Sequence, residues 1–146
     1  MIEGRPLPRF VLTDSVGQPR ALPVGRSCVL VVEDDTSQLR RQRAHEIIGR
    51  HPIEVVAIAE VARYRLWPAR TFALAAVRKT EAQEGVTVWL DWHDAVRTAL
   101  AILPGQSAFV VLDDAGRVVF FAQGQLDEAR EHALDEALAR VEAVSP

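Results

Sequence analysis

Two short apolar runs constrain this chain more than any other feature. Ser27 to Glu33 reads S-C-V-L-V-V-E, and Ile53 to Ala59 reads I-E-V-V-A-I-A. Both are near-continuous and valine-rich, which is how strands buried on both faces of a sheet read. The segment between them has helical character. Asp35 and Gln38 stand at capping-box spacing, Leu39, Ala44, Ile47 and Ile48 fall on one stripe, and His51-Pro52 ends the helix near Arg50. Strand, helix and strand at this separation predict a right-handed parallel βαβ unit.

The remaining elements extend that unit on both sides. Phe10 and Leu12 alternate in Arg9 to Asp14, Ser15 to Gln18 turns the chain, and Ala21-Leu22 returns, which predicts an N-terminal β-hairpin. After an irregular stretch from Glu60 to Trp67, Pro68 opens a helix from Ala69 to about Gln83 that Gly85 closes. Val86 to Asp91 is a further strand. Asp91 and Asp94 are placed to cap a helix running to Leu103, where Pro104-Gly105 stops it. Ala108 to Leu112, the turn Asp113 to Gly116, and Arg117 to Ala122 form a second hairpin. Leu126 to about Val141 is an amphipathic helix with Leu134, Leu138 and Val141 on its stripe. This order specifies an α/β fold with a mixed central sheet flanked by helices.

Size and charge narrow the classes. With 146 residues the chain fits one domain, 1–146, with residues 1–26 as a hairpin extension and 27–146 as the core. The 17 basic and 20 acidic residues are spread along the chain without a like-charged block, so a nucleic-acid partner is not expected. A single cysteine, Cys28, leaves no internal disulfide and no multi-cysteine metal site. No apolar run approaches the roughly 20 residues of a membrane helix, and Met1 to Pro8 is charged and proline-rich rather than a leader. The expectation is a cytoplasmic protein with no membrane partner.

Four local patterns carry a family resemblance. Gly4-Arg5-Pro6-Leu7-Pro8 precedes Leu12, Asp14 and Gly17. Val29 to Val32 stands before the first long helix. Ser107 to Asp113 leads into Asp114-Ala115-Gly116-Arg117-Val118-Val119, and Gly124 to Val141 closes the chain. Together they resemble the thioredoxin-like superfamily, in the elaborated form of peroxiredoxins and membrane-tethered thiol-disulfide reductases. Thr36-Ser37 and Ser107-Ala108 are similar to pairs in the YtfJ-like group, small and generally exported members of that superfamily. The resemblance implies a thioredoxin-like three-layer sandwich. It also implies a dithiol at the start of the helix after Val29 to Val32, and Asp34 to Arg41 contains no cysteine. Ser107 stands about where active relatives carry a cis-proline. Dithiol redox chemistry is therefore excluded.

Each remaining candidate has an ordinary explanation beside the functional one. Cys28 opens a buried strand, several residues before any helix terminus, so core packing is favoured over nucleophilic chemistry. Glu33, Asp34 and Asp35 cluster at the C-terminal end of a core strand, where open α/β sheets place ligands. Capping and solvation account for them, and no nearby histidine is evident, so no metal is expected. His93 lies within Asp91-Trp92-His93-Asp94, but adjacent helical residues point apart. His45, His51 and His132 show no partner spacing.

The sequence thus favours a non-catalytic domain that binds a protein or peptide partner without a cofactor. The contact candidates are Asp34, Asp35, Thr36, Ser37, Trp67 and Ser107. The alternative is an atypical one-cysteine peroxidase using Cys28. A third option is self-association, a homodimer through an edge strand.

Overall fold

The run Cys28–Glu33 (β3) is apolar throughout because it lies in the middle of a covered sheet. Val29, Leu30, Val31 and Val32 are each 2% exposed or less. The structure is a computed structural model describing residues 3–33 and 42–144, with the backbone alone given for residues 42, 43, 143 and 144. The helix α1 (Gln42–Gly49) follows β3 and leads to β4 (Glu54–Glu60), which pairs with β3 in parallel from Cys28↔Glu54 to Glu33↔Ala59. This is the expected βαβ unit. The expected capping pair Asp35 and Gln38 lies outside the described residues.

The chain then passes a short 3-10 turn, Ala62–Tyr64, into α2 (Ala69–Glu84) and β5 (Val88–Asp91). Gly85 closes α2 in the left-handed region at φ 65°, and its N–H donates to the Glu81 carbonyl. Next come α3 (Ala95–Leu100), β6 (Ala108–Leu112), β7 (Val118–Gln123) and α4 (Glu128–Val144). Before the βαβ unit, β1 (Phe10–Asp14) and β2 (Pro19–Leu22) form the N-terminal hairpin. Asp14 holds its turn by accepting the N–H groups of Gln18 at 2.9 Å and Val16 at 3.1 Å and the Arg20 guanidinium. Those bonds, the Gln18 N–H first, hold its carboxyl below the usual range although burial opposes them.

Seven strands form one mixed sheet in the order β2-β1-β5-β4-β3-β6-β7. β3, β4 and β5 run parallel, while β1 and β6 join them antiparallel. Alternation along the strands separates the two faces. One face carries Leu30, Val32, Val56, Ile58, Val110 and Leu112, covered by Val96, Leu100 and Ile102 on and just after α3. The other carries Val29, Val31, Phe109, Val111 and Phe120 under α1 and α4. Leu134, Leu138 and Val141 supply the α4 stripe, as the sequence predicts.

The covering of that second face is uneven. Register places Ala57 and Val88 beside Val31, so α2 lies over the same face further along. α2 offers the half-buried Ala73, Leu74 and Val77 to Val88 and Leu90, yet none of its 16 residues is fully buried. It is a thinly packed helix on an otherwise closed core.

Two sequence expectations change at α3. Asp91 caps it, accepting the N–H groups of His93 at 3.3 Å, Ala95 at 3.0 Å and Val96 at 2.9 Å. Asp94 contributes no cap; it sits in the left-handed region at φ 54°. The end also comes early, at Ala101 with φ 53°, because Ala101 and Ile102 turn their N–H groups back to the Thr98 and Arg97 carbonyls.

Candidate functional site

The parallel strands share one end, and each finishes on a carboxylate: Glu33 on β3, Glu60 on β4 and Asp91 on β5. Glu60 and Asp91 are direct partners in the β4–β5 register. A row of acids at the C-terminal edge of parallel strands is where an α/β sheet would hold a ligand. The geometry assigns each acid to a protein partner. The Glu33 side chain is 11% exposed, with Oε1 3.2 Å from His45 Nε2. Glu60 pairs with the Arg97 guanidinium, their side chains 5% and 14% exposed. Asp91 is spent on α3.

His45 at Glu33 corrects the expectation that no histidine stands near this carboxylate. The crossover lays α1 back along the sheet, so a residue 12 positions later returns to the strand end. Arg97, likewise invisible to pattern reasoning, also donates to the Ile102 carbonyl at 3.3 Å and to the Leu103 carbonyl. It ties the end of β4 to the connection between α3 and β6. The signal for this pair was Glu60 itself, a charge at the end of an apolar run. Among the described residues no group of three or more His, Cys, Asp or Glu stands together as a metal site.

Of the six contact candidates, Trp67 and Ser107 lie among the described residues. Asp34, Asp35, Thr36 and Ser37 lie outside the described residues. Ser107 is at the same sheet end, one residue beyond the Val32↔Ala108 pair, but it is 4% exposed. Its hydroxyl is covered, so Ser107 is corrected from a contact residue to a packed one; its carbonyl accepts the Gly124 N–H at 2.8 Å. Trp67 is 82% exposed, with Leu66 at 71% and Phe72 at 73%. Leu66 and Trp67 line an open concavity of about 540 Å³ where the chain leaves β4 and enters α2, and Phe72 lies one turn into that helix. Trp92, by contrast, is buried under the Arg70 guanidinium, 4.1 Å from its ring centroid.

Cys28 occupies the other end of the sheet. It begins β3, pairs with Glu54 and Leu112, and has no exposed surface. Five residues of extended chain, about 16 Å, separate it from Glu33. Burial pushes its thiol up to about 12; Glu54 adds to the rise and Arg26 opposes it.

No family model and no curated protein matches this chain. Solved structures do match it. A thiol peroxidase from Chromobacterium violaceum superimposes at a TM-score of 0.66 and 17% identity over 96% of this chain and 87% of that one. A thio-disulfide isomerase from Thermus thermophilus gives 0.59 at 22% identity, covering 94% of this chain and 97% of that one. The peroxidoxin BcpB from Mycobacterium tuberculosis gives 0.58 at 19% identity, covering 100% and 99%. Such identities carry the architecture and not the chemistry. With its seven-stranded mixed sheet and helices on both faces, this chain has a thioredoxin-like fold.

Proposed function

We propose that this thioredoxin-like domain works by binding a protein or peptide partner, without thiol chemistry. The observation that carries the proposal is the exposure of Leu66 and Trp67 side by side along the concavity they line, with Phe72 exposed one turn into α2. Large apolar side chains grouped in solvent mark interaction surfaces more often than chance, while a single exposed one marks nothing. The narrower likeness to the YtfJ-like group belongs to the same proposal and rests on the Thr36-Ser37 and Ser107-Ala108 pairs.

The competing reading is a one-cysteine peroxidase, in keeping with the names of two structural neighbours. Peroxide reduction requires a thiolate that peroxide can reach. Cys28 has no exposed surface, and with its thiol near 12, on the order of one molecule in 10^5 would be ionised at pH 7. Both the burial of Cys28 and its raised thiol speak against that reading.

The test is the alkylation rate of Cys28 against pH in the folded protein, with peroxide consumption followed in parallel. We expect no reaction near neutral pH, no loss of peroxide, and an intact fold in Cys28→Ala. Alkylation with a thiolate profile well below the ordinary value of about 8.5, accompanied by peroxide loss, would overturn the proposal.

A further inference from the structure

The sheet has two outer strands, β2 and β7. An outer strand presents backbone N–H and carbonyl groups with which an extended segment can pair. β2 offers four residues and begins on Pro19, which has no N–H to give. β7 offers six, and the chain's own residues 3–7 lie along it. Val118 accepts the Gly4 N–H at 2.7 Å and donates to the Arg5 carbonyl at 2.8 Å, while the Leu7 N–H reaches the Gly116 carbonyl at 2.9 Å. Phe121 is met by side chains instead. Its N–H donates to Glu3 Oε1 at 3.2 Å, and its carbonyl accepts the Arg130 guanidinium, which also stands 3.3 Å from Glu3 Oε1.

This strap is lightly held. Gly4, Arg5 and Pro6 are exposed, and Pro6↔Arg117 is an isolated bridge rather than a ladder. Leu7, buried in the core, is its apolar anchor. The Glu3 and Arg130 side chains are 36% and 41% exposed, so their pair contributes at most about 1 kcal/mol. A segment with one anchor and one surface ion pair opens locally at far less than the cost of unfolding the domain. We propose that the outer edge of β7 is a docking edge for an extended peptide segment, occupied in cis by residues 3–7 and open in trans to a segment of the same chemistry. That segment carries a carboxylate for Arg130 and the Phe121 N–H, and a leucine four positions later for the site of Leu7. Pro6 and Pro8 lack N–H groups, so the seated strap does not itself become a new edge for pairing. This surface goes beyond the partner reading above and uses neither Leu66 nor Trp67.

The experiment uses the full chain and a fluorescein-labelled peptide of residues 1–8, read by anisotropy. In the parent the tethered strap competes at an effective concentration on the order of millimolar, so the peptide should bind weakly. The double variant Glu3→Ala/Leu7→Ala loosens the strap and should bind the peptide about 10-fold more tightly than the parent does. In that loosened chain Arg130→Gln should weaken binding several-fold, and a peptide with its own glutamate and leucine replaced by alanine should not bind. Hydrogen exchange at the Phe121 N–H locates the event, faster in the loosened chain and slowed again by the peptide. Circular dichroism checks that each variant is folded. Glu3→Ala alone leaves the core anchor in place and should give the same ordering with a smaller gain. Trp67→Ala should change none of these values, so failure here leaves the partner reading untouched. Peptide binding that is no tighter to the folded, loosened chain than to the parent, or that ignores Arg130→Gln, overturns the proposal. Self-association of the loosened chain that excess peptide leaves intact also overturns it, because the occupant would then be β7 of a second copy.

Discussion

His51 Nε2 lies 2.7 Å from Asp135 Oδ1, and Nδ1 of the same ring lies 2.5 Å from Glu142 Oε1. Both ring nitrogens can donate only when the imidazole is protonated. The pairing joins the residue just after α1 to two positions on α4, so it fastens the two helices that cover one face of the sheet. Nothing in the spacing of residues 51, 135 and 142 announces it.

The first prediction concerns pH. Burial disfavours the His51 charge, but Asp135 and Glu142 outweigh it and raise the group above its ordinary 6.5. Its contribution is complete below that value and is lost as pH rises through the raised folded value. The hydrogen bond from His51 holds Asp135 below its ordinary 3.8 despite some burial, so that contribution is present above 3.8 and lost as pH falls through the lowered value. The pair therefore stabilises most between about pH 4 and 6.5. The Tm gap between the parent and His51→Ala should be wide at pH 5.5 and narrow by pH 9. A gap independent of pH would refute the linkage.

The second concerns the Glu60–Arg97 pair, whose side chains are 5% and 14% exposed. Removing one partner leaves a buried charge without its counter-ion, at a cost of about 3–5 kcal/mol. Glu60→Ala and Arg97→Ala should each approach that cost in urea unfolding, and the double variant should lose clearly less than their sum. Additive losses would mean that the two residues act independently.

The third compares two glycines. Gly116 (φ 80°) would place a Cβ 2.8 Å from Pro23 Cγ, whereas Gly85 (φ 65°) has nothing within 4 Å. Both Gly→Ala changes incur the left-handed backbone cost of about 1–2 kcal/mol. Gly116→Ala should therefore lose more than Gly85→Ala in chemical denaturation, the excess measuring the clash with Pro23. Equal losses would show that Pro23 moves aside freely.

The fourth separates Asp91 from Asp94. Asp91 is 1% exposed and accepts three N–H groups at the start of α3, while Asp94 makes no side-chain cap. Asp91→Ala should cost about 1–2 kcal/mol, and Asp94→Ala appreciably less. Comparable thermal shifts would assign the cap to both.

Most of the architecture was legible from residue pattern. The alternation of Phe10 and Leu12, the valines of β3 and the Leu134, Leu138 and Val141 stripe each declare which side is buried, because period and polarity are local properties. Strand ends were less legible. β5 begins at Val88, two residues after the apolar run suggests, since Val86 is 38% exposed and lies outside the β4–β5 pairing.

The candidate site was legible only in its exposed part. Trp67 could be singled out because it is a large aromatic residue ending an irregular stretch just before the Pro68 helix start. Ser107 could not be judged, since its burial depends on strands that reach it from elsewhere in the chain.

By itself, then, the sequence determined the order of elements, the faces that they bury, and the exclusion of a dithiol, because these follow from periodicity and from a single cysteine. Only the tertiary structure decided the long-range partners. It set Cys28 in the buried first position of β3, brought His45 to Glu33, Arg97 to Glu60 and His51 to Asp135, and left α2 thinly packed with Trp67 outside. Those outcomes depend on which elements the sheet brings side by side, and Coulombic and packing energies act through space rather than along the chain.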